Sequence, residues 1–304
     1  MREQIAAASL LEWERKMLAP KVLIDLGNGL RFTESPRWRG GRLWFIDIHD
    51  SAIKSVSLTG DLRTEIALPF KPNGLGFMAD GSIVFSDALH LAMKRWKDGE
   101  LHELADLSGT CVFCLSDAVT DAEGCIWVSD IGYNFWNPDA PPAETCVIAR
   151  IDSDGTVTQV AGDLRFPNGL VITPDGKTLI IAETNGFCLS AFDIGEDGSL
   201  SGRRAYAQLP LGVQPDGICL DAEGAVWVAN PGEQGPSVLR VHEGGEVTDM
   251  IELDHHAYAV ALGGPERRHL FICSSPTHDP AEIATNPGAQ ILVCEVAVPG
   301  AGIP

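Results

Sequence analysis

The stretch Glu34-Ser35-Pro36-Arg37-Trp38-Arg39-Gly40-Gly41-Arg42-Leu43-Trp44-Phe45-Ile46-Asp47 reads as one phrase: a polar heading residue, a short strand, a tight glycine turn and a second apolar strand. The phrase returns along the whole chain. Asn73-Gly74-Leu75-Gly76-Phe77 passes Asp80-Gly81 to Ile83-Val84-Phe85-Ser86-Asp87, and Ser116-Asp117-Ala118-Val119 passes Glu123-Gly124 to Ile126-Trp127-Val128-Ser129-Asp130. Asn168-Gly169-Leu170-Val171-Ile172 passes Asp175-Gly176 to Leu179-Ile180-Ile181-Ala182-Glu183, and Asp216-Gly217-Ile218-Cys219-Leu220 passes Glu223-Gly224 to Val226-Trp227-Val228-Ala229-Asn230. Tyr258-Ala259-Val260-Ala261-Leu262, with Gly263-Gly264 and Leu270-Phe271-Ile272-Cys273, completes six.

The heading residues lie 39, 43, 52, 48 and 42 residues apart, which is the length of four short antiparallel strands joined by hairpins. Further strand candidates fill the gaps, at 52–58 and 62–68 after the first phrase and at 147–151 and 157–161 after the third. An all-β six-bladed β-propeller over residues 20–304 follows. A sandwich or a pair of barrels does not account for one motif recurring six times, and the sequence lacks the long helical periodicity of a parallel α/β fold. After the last phrase only the strand at 291–296 remains, so the strand candidate at 21–26 is expected to close the ring as the outer strand of the sixth blade and to remove an open edge. Residues 1–19, charged around a short apolar stretch, are expected to form a helical extension.

Composition bounds the function. The chain has 304 residues, 45% hydrophobic and 21% charged, with 42 acidic against 22 basic side chains and a formal net charge of −20. Its mean field repels nucleic acid and anionic membranes, so neither is expected as a partner, and a cation or a neutral small molecule is the easier one. The same charge also serves solubility. No apolar run is long enough to span a bilayer and the N-terminus is too charged for a leader, so a cytoplasmic protein is expected. Most of the eight cysteines fall inside apolar runs, as buried reduced thiols do. Cys111 and Cys114 have the spacing of half a zinc or redox site, without a second pair to complete it.

In a propeller the residue heading each inner strand points at the central channel. Those residues are Glu34, Asn73, Ser116, Asn168, Asp216 and Tyr258. Five offer side-chain oxygens suited to a hard cation, two are carboxylates, and none is His or Cys. Such a set takes calcium, magnesium or manganese rather than zinc or copper. Asn and Asp before Gly are also ordinary turn formers, and Pro72-Asn73-Gly74 reads equally well that way. Glu34 is neither a turn former nor a strand former, which makes it the sharper candidate.

Three of these motifs carry a resemblance. Phe32-Thr33-Glu34-Ser35-Pro36-Arg37-Trp38, Phe166-Pro167-Asn168-Gly169-Leu170 and Gln214-Pro215-Asp216-Gly217-Ile218-Cys219 resemble the signatures of the gluconolactonase, regucalcin (senescence marker protein) and luciferin-regenerating enzyme family. The resemblance implies a six-bladed propeller holding one divalent cation, commonly calcium, through Glu34, Asn168 and Asp216. It implies lactone hydrolysis with Asp216 as general base as well as ligand, and a related branch hydrolyses organophosphates. The family pattern Arg-Phe-Asn-Asp-Gly reads here Cys114-Leu115-Ser116-Asp117-Ala118, so Cys114 stands for a substrate-binding arginine and Ser116 for an asparagine. A substrate-binding glutamate aligns, without gaps, with Asn134. The sugar-lactone pocket is therefore not preserved, although the metal set is.

The expected function is divalent-metal-dependent hydrolysis of a lactone or similar cyclic ester, with Ser116, Asn134, Asn73 and His49 as substrate-binding candidates. The alternatives are a propeller that binds metal or a small ligand without turnover and an organophosphate-type hydrolase. His49 follows Asp47 on a loop, where a surface histidine is the readier expectation. Tyr133, Phe135 and Trp136 form an aromatic cluster that suits a pocket lid or plain packing. Ser274, His278 and Asp279 match no nucleophile pattern and are expected as loop, and Gly176-Lys177-Thr178 lacks the upstream glycine of a phosphate loop.

Overall fold

The computed structural model describes residues 24–302 except 135–138, 140–142, 144–145 and 233–234. The expected helix within residues 1–19 lies outside the described residues. The strands form six four-stranded antiparallel sheets arranged as blades. Blade 1 is β2 (Thr33–Arg39), β3 (Arg42–Asp47), β4 (Ala52–Ser57) and β5 (Leu62–Ala67), and blade 2 is β6 (Pro72–Phe77), β7 (Ile83–Asp87), β8 (Ala92–Lys97) and β9 (Glu100–Asp106). Blade 3 is β10 (Leu115–Thr120), β11 (Ile126–Asp130), β12 (Cys146–Ile151) and β13 (Val157–Leu164). Blade 4 is β14 (Pro167–Ile172), β15 (Thr178–Glu183), β16 (Cys188–Ile194) and β17 (Leu200–Gln208). Blade 5 is β18 (Ile218–Leu220), β19 (Val226–Asn230), β20 (Ser237–Val241) and β21 (Val247–Glu252).

The sixth blade is built from both ends of the described chain. β22 (His256–Gly263), β23 (His269–Ser275) and β24 (Ala289–Glu295) are followed by β1 (Ile24–Leu30), which pairs antiparallel with β24 and places Ile24 opposite Val293. The ring is closed by a strand from the start of the chain, as its unpaired candidate strand implies. The inner strands β2, β6, β10, β14, β18 and β22 each contact the next around the circle. Among the described residues one short α-helix, α1 (Pro280–Thr285), follows the segment of His278 and Asp279 expected as loop, and Asp279 caps it by accepting from the Ala281 and Glu282 amides at 2.7 and 3.1 Å. Among the described residues no helix is long and apolar enough to cross a membrane.

Apolar clusters fill the spaces between neighbouring blades, and the tryptophans of the third and fifth phrases, Trp127 and Trp227, are fully buried. None of the eight cysteines is in a disulfide, and every one but the half-buried Cys188 is buried. Burial, and then the charge of Asp130, push the Cys111 and Cys114 thiols up to about 12, so both stay neutral and pack as small apolar side chains.

Two local devices turn this ring into a site. The register between first and second strands shifts beside Glu34, Asn73, Ser116, Asn168 and Tyr258, and such bulges re-aim a side chain. In blade 5 Asp216 and Gly217 precede the strand, yet the Asp216 amide donates to the Ala229 carbonyl and the Ala229 amide to that of Gly217, at 3.0 Å each. The second device is the polar residue ending the second strand. Asp47 accepts from the Arg31 and Phe32 amides, Asp130 from Val112 and Gly132, Glu183 from Arg165, and Asn230 from Gln214 and Gly232. Each ties the loop that enters an inner strand to that strand's neighbour. Asp130, Glu183 and Asn230 are thus fasteners for the residues that face the channel.

The glycine after the heading residue serves close approach as well as turning. A Cβ added at Gly169 would lie 2.7 Å from the Asp216 carbonyl oxygen and the Ile218 nitrogen, both backbone atoms of blade 5. No rotamer relieves such a contact. Gly169→Ala is expected to cost about 1–3 kcal/mol by overpacking, read as a lower Tm of the purified protein. An unchanged Tm would mean that blades 4 and 5 stand further apart at the channel.

Candidate metal centre

Antiparallel pairing puts the start of each inner strand at the same end of the ring as the finish of the second strand. A cavity of about 1220 Å³ opens at that end, and all six heading residues line it: Glu34, Asn73, Ser116, Asn168, Asp216 and Tyr258. Residues far apart in sequence converge because each opens the same step of the repeat.

The heading residues are wired to one another. Ser116 Oγ donates to Asn168 Oδ1 at 3.1 Å, which places blade 3 beside the expected ligand of blade 4. Thr184 Oγ1 accepts from the Asn168 side-chain Nδ2 at 3.5 Å and donates to the Pro215 carbonyl at 2.7 Å, linking blade 4 to the residue before Asp216. Ser35 Oγ donates to Asn73 Oδ1 and accepts from the Gly74 amide, both at 3.1 Å. The Glu34 carboxylate accepts from the Ser35 amide at 3.3 Å, and Asp216 Oδ1 is buried without a hydrogen-bond partner.

Both carboxyl groups are shifted toward their neutral forms. Burial first, and then the charge of Asp117, raise Glu34 from 4.5 to about 8. Burial, followed by the charges of Glu34 and Asp117, pushes Asp216 well above the usual carboxylate range. Two carboxylates removed from water beside a third acid are unfavourable in their charged forms. The buried Asp216 carboxylate, whose Oδ1 has no partner, the half-buried Glu34 carboxylate and the Asn168 amide oxygen fit a hard cation with oxygen ligands. Among the described residues no group of three or more His, Cys, Asp or Glu is placed to hold a metal.

A pH dependence follows for protein stripped of metal. The folded value for Glu34 lies above the unfolded one, so its contribution to stability is complete below about 4.5 and is lost as pH rises through about 8. Chelated protein should therefore melt at a lower temperature at about pH 8.5 than at about pH 6, and added calcium should remove that difference. A chelated Tm that rises over this interval would contradict the electrostatics of the site.

The structure adds two residues that the sequence did not single out. Arg37 Nη2 donates to Asp117 Oδ1 at 2.8 Å and to the Ala118 carbonyl at 2.7 Å, joining the inner strands of blades 1 and 3 in a buried ion pair. Both residues lie within the quoted phrases, but a pair 80 residues apart has no local signature. Tyr258, passed over among the ligand candidates, has a buried hydroxyl without a partner. Burial, then the charges of Asp216 and Glu34, push its phenol above the usual range, so it keeps its proton.

The other candidates divide. Asn73 and Ser116 line the cavity, and so does His49, contrary to the expectation of a surface residue. A 3-10 turn over Ile48–Asp50 folds His49 inward, where its ring meets Phe32 edge-on at 6.0 Å. Burial, and next the charge of Lys71, lower His49 to about 4, so it is neutral at physiological pH. Asn134 is half-buried and does not line the cavity; its neighbour Tyr133 does. An ungapped alignment cannot track the long connection between β11 and β12. Phe135 and Trp136 lie outside the described residues. His278, expected as loop, lines the cavity together with His256, whose Nδ1 donates to the Pro231 carbonyl at 2.6 Å.

The chain is similar to several known proteins. The 6-deoxy-6-sulfogluconolactonase of Pseudomonas putida is 30% identical over 195 residues, a match spanning 62% of this chain and 64% of that protein. The pentonolactonase of Haloferax volcanii is 26% identical over 255 residues, 81% of this chain and 82% of its own length. Among solved structures, the calcium-binding protein regucalcin of Agrobacterium tumefaciens superimposes with a TM-score of 0.77 at 23% identity, covering 95% of this chain and 97% of that one. The SMP-30/gluconolactonase/LRE-like family model matches residues 32–276, a span that takes in Glu34, Asn168 and Asp216 with all six inner strands, and the chain belongs to that family.

Proposed function

We propose that this protein is a divalent-metal-dependent hydrolase of a lactone or similar cyclic ester. One observation supports the reading most: six heading side chains from six blades line one cavity, and among them Asp216 presents a buried carboxylate oxygen with no hydrogen-bond partner. Glu34, Asn168 and Asp216 would hold the cation, calcium first by the oxygen-only donor set, with magnesium and manganese open to the same ligands. Bound there, such a cation supplies a Lewis acid for the carbonyl of the ring ester.

The rest is work for the chain's own residues. Asp216 orients the attacking water and takes its proton, a role open to a carboxylate within hydrogen-bond reach of that water. Ser116, Thr184 and the backbone links around Gly169 and Gly217 hold Asn168 and Asp216 in place. Tyr258 offers a protonated hydroxyl to an oxygen of the substrate, and the neutral rings of Phe32, His49 and Tyr258 shield that side of the cavity from water. A reacting ester is held by positioned dipoles rather than by mobile solvent.

A pH-stat survey of neutral lactones, esters and organophosphate esters, with calcium and with chelator, tests the proposal. Acid release from lactones that stops on chelation supports it. Metal-saturated protein that turns over none of these compounds would leave a binding propeller, and preference for the phosphate esters would favour the organophosphate reading.

A further inference from the structure

The cavity is larger and less polar than a hydroxylated sugar ring calls for. Its volume, about 1220 Å³, exceeds the ~300–1,000 Å³ that encloses a drug-sized ligand. The heading residues put polar groups around the channel, with Arg165, Thr184, Asn185, Gln214, His256 and His278 adding others. The side formed by blades 3 and 4 is different: Cys114, Ile131, Leu164 and Phe166 make a wall there, and Cys114, Ile131 and Phe166 belong to one apolar cluster that includes Ala88. Cys114, standing where the family pattern has an arginine, directs its thiol only to the adjacent Leu115 carbonyl at 3.5 Å and remains neutral. A ring bearing several hydroxyls would lose hydrogen bonds to water against this wall, and each group left unpaired weakens its binding.

The apolar surface continues outward. Phe187 is 41% exposed and Leu211 fully exposed, and both line the mouth of the cavity. They are two of only five large hydrophobic side chains that stand exposed among the described residues. The backbone of Phe187 is firmly held, its carbonyl accepting from the Leu209 amide at 3.1 Å and from the Gln208 side chain at 2.8 Å. Its left-handed φ of 53° repeats at Ser51 of blade 1, φ 52°, so the conformation is a feature of the blade and the exposed ring is particular to blade 4. From metal centre to rim the cavity thus offers a polar end, an apolar wall and an apolar lip.

Resting on the lactonase reading, we propose that the substrate is a neutral lactone carrying an alkyl or aryl substituent, the ring ester at the heading residues and the substituent along Cys114, Ile131 and Phe166 toward Phe187 and Leu211. Neutrality of the substituent follows from the wall itself, where the side chains of Cys114, Ile131, Leu164 and Phe166 carry no counter-charge. An extended hydrocarbon suits the wall because each methylene removed from water contributes in proportion to its area, with no polar partner needed.

The test is a homologous series of γ-lactones, from butyrolactone through nonalactone to undecalactone, set against glucono-δ-lactone, with calcium present. Each added methylene should raise kcat/KM by ~2- to 4-fold until the wall is covered, chiefly through KM, and gluconolactone should be the poorer substrate. Phe187→Ser, folding-compatible because Ser51 adopts the same backbone conformation, should flatten that slope. Leu211→Asp, at a fully exposed position, should flatten it as well. A flat series, or gluconolactone preferred over nonalactone, would overturn the substituent wall while leaving the lactonase intact. If no lactone is hydrolysed the catalytic reading fails, and the wall is then decided by calorimetry with 2-alkylcyclopentanones on calcium-loaded protein. Affinity rising with chain length supports it, and equal affinities overturn it.

Discussion

Asp216→Asn should lower the kcat of calcium-saturated protein on its best lactone by about 10²- to 10⁴-fold, the range that a positioned general base contributes. The substitution preserves the shape of a side chain that is 7% exposed and whose backbone bonds the Ala229 carbonyl and Gly169 amide, so the blade should fold as before. What it removes is a charge and a proton acceptor at the position where the native Oδ1 has no partner. Because the same oxygen is an expected ligand, the measurement is made at calcium concentrations high enough to saturate the variant, with occupancy checked by calorimetry. Full activity at full occupancy would remove Asp216 from the role of base. His256 would then be the next group to replace, since the Nδ1 proton given to the Pro231 carbonyl leaves Nε2 as its acceptor.

Glu34→Gln should act in opposite directions on the metal-free and the metal-loaded protein. Without metal, it removes the charge that burial and Asp117 make unfavourable, and that adds to the strain on Asp216, so the chelated variant should melt above chelated wild type at about pH 8. With metal, it removes one of two carboxylate ligands. Calcium affinity should fall by more than the about 10- to 100-fold that loss of an outer partner costs, and with it the calcium-dependent rise in Tm, which for wild type reflects about 2.7 kcal/mol of added stability at a hundredfold excess over Kd. A variant that is destabilised equally with and without calcium would show Glu34 to be a packing residue.

Much of this architecture was legible in the chain because a propeller repeats its local chemistry. The turns Gly40-Gly41, Asp80-Gly81, Glu123-Gly124, Asp175-Gly176 and Glu223-Gly224 mark the same hairpin each time. The strand before the first phrase had no local partner, and β1 does pair with β24. The convergence of Glu34, Asn168 and Asp216 on one cavity follows from their common place in the repeat.

What escaped the sequence depends on contacts between distant segments or on geometry finer than the repeat. Arg37 and Asp117 meet across the channel from different blades, and only the fold makes them a pair. His49 is carried inward by a 3-10 turn too short to announce itself. The helix Pro280–Thr285 has six residues, fewer than two turns, so no periodicity marks it. Asn134 was placed by counting from Ser116 through a connection whose length is particular to blade 3, and Tyr133 is the residue that reaches the cavity.

The proposed function needs one cation at the head of the channel, held by Glu34, Asn168 and Asp216. It can be located by diffraction from crystals grown with calcium, with a second set grown with manganese for its anomalous signal. A single strong peak is expected within about 2.3–2.6 Å of oxygens from all three side chains for calcium, and a manganese peak at the same place. Metal density elsewhere, or none at these residues under saturating metal, would contradict it.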